Sequence, residues 1–304
     1  MSSGPAGLKR QDLPATGRSA SGLAARGQRR TKRLVQVELL ALIAAGLAGL
    51  TSLRVGPARL DVFAGVSALC FLLSLGASVY RGLSRTEQVW YAGRAAAESV
   101  RTTAWRYAVG GDPYPNSLAE DAAGAALLDR LRGILGQLRE FELPPVGAQD
   151  SEITAGMRAL RAASLDERRA AYKRDRVSDQ ITWYTDKASH HERAARRWLG
   201  LSIAASLLGV VTAGLRMFGV VDLDLLGVAG ACASAAVAWN QLNQNRNLVA
   251  AYRVTARELS MIRDRIDGVG ESEWPRFVSD GEEAISREHT LWLARHGHPG
   301  IRTS

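Results

Sequence analysis

The side chains best able to do chemistry in this chain are few, and their spacing argues against a reaction centre. His190 and His191 are adjacent, so on a helix they diverge by about 100°. They cannot share a metal as an i, i+4 pair could. His289, His296 and His298 gather near the C-terminal end, where they suit a solvated helix end. Cys70 and Cys232 both fall inside apolar runs, where a thiol behaves as a small hydrophobe, and they match no metal or redox spacing. The chain has no phosphate-cradling glycine loop, no nucleophile elbow and no HExxH helix. No catalytic, metal-binding or cofactor-binding residue is predicted, no cofactor is expected, and the chain is not expected to be an enzyme.

Two aromatic and polar stretches stand out instead. The first holds Trp90, Arg94, Glu98, Arg101 and Trp105; Arg94 and Glu98 are four apart and can pair on one helix face. The second holds Arg176, Asp179, Gln180, Trp183 and Tyr184, again at helical spacing. They read either as interfaces between cytosolic helices with aromatics at a membrane surface, or as a docking or sensing face for a regulator. A third stretch is rich in amides: Asn240, Gln241, Asn243, Gln244 and Asn247. These side chains could bond between helices or line a wet vestibule in an oligomer.

The elements that position these residues are set by four apolar runs: Leu34 to Leu53, Leu60 to Tyr80, Leu199 to Met217 and Leu223 to Trp239. A bilayer core about 30 Å thick needs roughly 20 helical residues, with about 17 tolerated. Three runs meet that length and the fourth borders on it. A soluble core helix carries a polar stripe every third or fourth residue, whereas the second run offers only Ser67, Ser74 and Ser78. The predicted fold is therefore an all-α membrane protein with two transmembrane helical hairpins, hence four transmembrane helices, and cytosolic helical extensions.

Basic residues set the orientation. Arg26, Arg29, Arg30, Lys32 and Arg33 precede the first run, and Arg81, Arg85 and Arg94 follow the second. Lys187, Arg193, Arg196 and Arg197 precede the third, and Arg246, Arg253 and Arg257 follow the fourth. Both termini and the middle of the chain are then cytoplasmic in a multi-pass protein of the cell membrane. Glu38, Asp61, Asp222 and Asp224 lie near helix ends, where the aspartates suit a helix N-terminus; ion coordination is the other reading.

Residues 1–30 read as a disordered basic tail, 31–145 as a first hairpin with cytosolic helices, and 146–300 as a second unit built around the other hairpin. Ser117 with Glu120, and Ser164 with Glu167, have the spacing of capping boxes. Helix is expected to continue from Asn240 to Asp267. A last amphipathic helix is expected at about Trp274 to His296, and no strand pattern is visible.

The residues from Trp90 and Tyr91 through Arg94, Glu98, Arg101, Trp105 and Tyr107 to Asp112, Pro113 and Tyr114 resemble the post-hairpin helix of one SLATT subfamily. SLATT denotes SMODS- and SLOG-associating two-transmembrane effector domains. The stretch from Arg176 through Trp183, Tyr184 and Lys187 to Trp198 resembles the start of a second subfamily, whose ending is echoed from Phe277 to Trp292. The resemblance implies a membrane effector of a bacterial conflict or immunity system. Such an effector is proposed to oligomerise and permeabilise the membrane on a nucleotide-linked signal. Its implied partners are the lipid bilayer, further copies of itself, and a nucleotide-sensing or nucleotide-synthesising protein; no nucleic acid is expected. A non-conducting membrane scaffold that recruits cytosolic partners is the alternative.

Overall fold

A computed structural model describes residue 8 and residues 12–57, 59–145, 147, 150–220 and 225–296, with side chains described to residue 286. The described residues are all-α apart from one short ribbon. The helices are α1 (Ala15–Ala48), α2 (Val62–Leu83), α3 (Thr86–Val109), α4 (Glu120–Gln137), α5 (Ala155–Ala162), α6 (Leu165–Ala171), α7 (Asp179–Met217), α8 (Leu226–Leu242), α9 (Asn245–Arg265) and α10 (Trp274–His296). A π-helical segment, Tyr172–Ser178, joins α6 to α7, and a 3-10 turn, Ile266–Gly268, follows α9.

Several local expectations are corrected. Residues 15–30, expected to be a disordered tail, form the first half of α1. That stretch is rich in alanine and arginine, which are strong helix formers. Two strands appear where none was expected: β1 (Arg54–Val55) pairs antiparallel with β2 (Leu60–Asp61) and closes the turn between α1 and α2. Ser117 does not cap α4, which starts at Glu120 after an Ala119 cap without a side-chain bond. The helix expected from Asn240 to Asp267 breaks between α8 and α9, where Gln244 takes φ 47°. Ser164 and Glu167 do form the capping box, and Asp61 caps α2 by accepting from the backbone N–H groups of Phe63 and Ala64. Asp222 and Asp224 lie outside the described residues, as do the side chains of His289, His296 and His298.

The chain divides into two compact units, each drawing on distant parts of the sequence. Unit 1 comprises residues 1–27, 88–187 and 250–304. Its core holds Trp105, Tyr107, Leu127, Leu131, Met157, Leu160, Tyr172, Leu259, Trp274 and Ile285, all buried. The first turns of α1 cross α3 at Gly93, where a Cβ would come within 2.7 Å of the Ala24 backbone nitrogen. Only glycine permits that approach.

Unit 2 comprises residues 28–87 and 188–249 and contains the apolar parts of α1, α2, α7 and α8. Small residues bring its helices together. The Ser67 hydroxyl donates to the Ala45 carbonyl at 3.0 Å, joining α2 to α1. A Cβ at Gly46 would lie 3.5 Å from Val228 Cγ2, and one at Gly209 would lie 3.3 Å from Ala229 Cβ, joining α1 and α7 to α8. These contacts fix a common level. Counting about 14 residues, or about 21 Å at 1.5 Å per residue, towards one end reaches Lys32, Arg81, Ala195 and Leu242. Just inside that level lie Tyr80 and the Trp198–Trp239 pair, whose ring centroids are 6.2 Å apart. The other way, α7 runs about 8 residues further to its end at Met217, while α1 ends at Ala48 and passes into the first hairpin turn.

The outer faces of unit 2 are apolar and uncovered. Leu69, Leu72, Leu75 and Leu83 on α2, and Leu207, Val210 and Val211 on α7, are exposed. Among the described residues, two helices are long and apolar enough to cross a membrane: α2, and the continuous helix from Leu165 to Met217. Only 6% of the most apolar stretch of α2, and 17% of that of the longer helix, is buried, the reverse of a soluble core helix. Cys70 on α2 and Cys232 on α8 are free thiols.

Candidate functional site

Unit 1 is organised around a buried ionic cluster that draws on both aromatic and polar stretches. Arg176, on the π-helical segment, is 1% exposed and Glu282, on α10, is 0% exposed. Arg176 Nε donates to Glu282 Oε1 at 2.8 Å, and Nη2 donates to Oε2 at 2.6 Å. This is the two-pronged fork that guanidinium and carboxylate form best. Arg176 Nη2 also reaches Glu98 Oε1 at 3.4 Å, and Glu98 pairs with Arg101. Tyr172 donates its hydroxyl to Glu282 Oε1 at 3.2 Å. Trp105 and Trp274 meet the Tyr172 ring edge to face, at 6.0 and 5.9 Å.

Burial works against the Arg176 charge, but the carboxylates of Glu282 and Glu98 more than reverse it, so its pKa is raised. Burial pushes the Tyr172 phenol well above its ordinary value, and the adjacent Glu282 carboxylate adds to the shift. Burial also raises Tyr107 and Tyr114. A raised phenol pKa stabilises the fold fully below the unfolded value, near pH 10, and that stability is lost as pH climbs past it. The melting temperature of the detergent-solubilised chain is therefore expected to fall between about pH 9.5 and 11.5. The fall should be smaller in Tyr172→Phe; a curve unchanged by that substitution would reject the assignment.

A second buried arginine organises the loop after α3. Arg161 Nη1 donates to the Tyr107 and Tyr114 carbonyls at 3.1 and 2.7 Å. Its Nη2 donates to those of Pro115 and Leu118 at 2.9 and 3.2 Å. Arg168 Nη1 and Trp274 Nε1 both donate to the Val109 carbonyl at the end of α3, at 2.9 and 2.7 Å. Gly110 follows with φ 74°, a left-handed conformation that suits glycine at a helix end.

The expected docking or sensing face is thus divided. Trp105, Arg176, Gln180 and Tyr184 are buried in unit 1, where Trp105 meets Tyr172, Arg176 meets Glu282 and Tyr184 meets Tyr252. Trp90 stacks on Tyr91, Arg94 is half-buried, and Asp179 is exposed. Trp183 is 39% exposed, packing against Tyr252 under the Lys187 ammonium. Glu98 and Arg101 edge the ionic cluster.

In unit 2 the amide-rich stretch forms a bridge at the break between α8 and α9. Asn245, which is buried, donates from Nδ2 to Asn240 Oδ1 at 2.9 Å, and its Oδ1 lies 2.7 Å from His191 Nδ1 on α7. Asn243 bonds back to the Trp239 carbonyl at 2.8 Å. Gln241 and Asn247 are exposed, and Gln244 sits in the turn itself. Asn240 on α8 and Asn245 on α9 thus bond between helices.

Sequence reasoning missed Glu282, Tyr172, Arg161 and Arg168 as organising residues. One signal was available: Glu282 lies on the helix stripe of Val278 and Ile285, where an acid is unexpected. Arg161 likewise follows Met157 and Leu160 on an apolar face.

The helical fold, with long apolar helices left uncovered, defines an all-α membrane protein. The chain belongs to the SMODS and SLOG-associating 2TM effector domain family, matching effector domain 3 over residues 14–169 and effector domain 1 over residues 172–292. No curated protein and no solved structure matches it significantly. The seam between the two family domains falls at the start of the π-helical segment, within the continuous helix. The Arg176–Glu98 contact therefore links one family domain to the other inside unit 1.

Proposed function

We propose that the chain is a non-enzymatic membrane effector that crosses the bilayer four times, with both termini cytoplasmic. It assembles into oligomers and permeabilises the membrane when a nucleotide-sensing or nucleotide-synthesising partner is activated. The observation that carries this reading is the common level of the four apolar helices in unit 2. From Tyr80 to the start of α2 and from Trp198 to the end of α7 is about 18–19 residues, or about 28 Å, close to the thickness of a hydrocarbon core. Aromatic rings at one rim and arginines beyond them fit a membrane interface.

One observation favours the non-conducting scaffold as a second reading. Ser206 and Thr212 turn their hydroxyls onto their own helix, at 2.9 Å to the Ser202 carbonyl and 2.8 Å to the Leu208 carbonyl. They thus offer little to an aqueous path. Leakage of a fluorescent dye from liposomes containing the purified chain, with and without candidate cyclic nucleotides, separates the two. Leakage that rises at least tenfold on triggering supports the effector. Tight vesicles under every trigger, with the chain inserted, support the scaffold.

A further inference from the structure

The polar end of unit 2 presents arginines far in excess of acids. Arg29, Arg30 and Arg33 on α1 and Arg193, Arg196 and Arg197 on α7 are all exposed. By the helix levels set at Gly46 and Gly209, these two groups stand at matching heights. The acids of unit 2 at that height are not displayed in the same way. Glu38 and Glu87 are both held by Arg81, at 3.3 and 3.9 Å, and Glu192 is half-buried. One step along each helix the surface becomes apolar: Val37 and Leu40 follow Arg33, and Leu199, Leu201 and Ile203 follow Arg197, all exposed. Tyr80, Trp198 and Trp239 lie between the two zones, and Arg30 rests over the Tyr80 ring.

From this layering we infer that the arginine girdle is a binding surface for anionic phospholipid headgroups, which it recruits around the protein in the leaflet it faces. Guanidinium groups bind phosphate oxygens through paired N–H donors, which zwitterionic lipids satisfy with less charge gain. An acidic protein could match the arginines, but it would not also present an apolar layer directly beneath them. A leaflet rich in anionic lipid offers both at the observed spacing. The inference rests on the membrane-spanning reading above and goes beyond it, because crossing a bilayer requires no preference among headgroups.

The test uses the full chain in phosphatidylcholine vesicles that carry an equal fraction of either brominated phosphatidylglycerol or brominated phosphatidylcholine. Quenching of tryptophan fluorescence is read after subtracting the signal of the Trp198→Phe, Trp239→Phe double variant. The brominated anionic lipid is expected to quench more strongly at equal fraction, and the excess should shrink at high salt. Replacing Arg193, Arg196 and Arg197 together with glutamine should lower the relative affinity for the anionic lipid by about fivefold or more. Quenching by brominated phosphatidylcholine should persist in that variant as proof of insertion. If it does not, the Arg29→Gln, Arg30→Gln, Arg33→Gln variant is read instead. Equal quenching by the two brominated lipids overturns the headgroup preference while leaving the membrane reading intact. Absence of quenching by either overturns both.

Discussion

Replacing Glu282 with alanine is expected to destabilise the chain by about 3–5 kcal/mol, because it strands the Arg176 charge in the interior. The penalty arises from desolvation. Arg176 is 1% exposed and its best acceptor is Glu282; Glu98, at 3.4 Å, is a weaker one. For a unit of this size the melting temperature should drop by roughly 10 °C or more. Glu282→Gln keeps the shape and one acceptor oxygen, so it should cost less than alanine. Replacing both Arg176 and Glu282 with leucine or methionine is the discriminating variant. An ion pair that contributes specificity rather than net stability can be exchanged for apolar groups at little cost. The double variant should therefore recover much of the loss. A Glu282→Ala protein that melts within 2 °C of the parent, measured by circular dichroism in detergent, would refute the buried-pair argument.

Arg161→Ala is expected to rank second, at about 3–4 kcal/mol. One guanidinium donates to four carbonyls of the segment from Tyr107 to Leu118, and it also lies 5.0 Å above the Tyr107 ring. Removing it leaves several buried acceptors without a donor, each costing about 1–3 kcal/mol before relaxation and water entry reduce the sum. Lysine keeps the charge but presents a compact ammonium that cannot serve four acceptors spread across a loop. Arg161→Lys should recover less than half of the loss. The readout beyond melting temperature is proteolysis: the loop between α3 and α4 should become the first cleavage site in Arg161→Ala. Unchanged cleavage kinetics there would show that the loop holds its shape by other means.

Both residues illustrate what patterning left hidden. Periodicity identifies which face of a helix is apolar, and it located α10 at its observed span. It cannot say which partner satisfies a charge on that face, because Arg176 and Glu282 are 106 positions apart. The aromatic and polar stretches around Trp90 and Arg176 were legible as unusual. Their joining through Glu98 was not, since nothing local in either stretch encodes the distance between them. At the α8–α9 break, the amides looked unsuited to lipid. The bond from His191 to Asn245 gives the physical reason they are tolerated: buried amides pair with one another and with a neighbouring helix instead of with water.

By itself the sequence determined the helical class, the four apolar runs, the capping box at Ser164 and the family, because these depend on residues near one another along the chain. Helix period, caps and runs of apolar side chains are short-range properties, and a family motif is a string of neighbours. Only the tertiary structure decided that the N-terminal arginine-rich stretch is helix and that the two compact units interleave distant segments. It also decided that the charges of Arg176, Glu282 and Glu98 meet inside one of those units. Those outcomes depend on which surfaces leave water together, and that free energy is a property of contacts between remote parts of the chain.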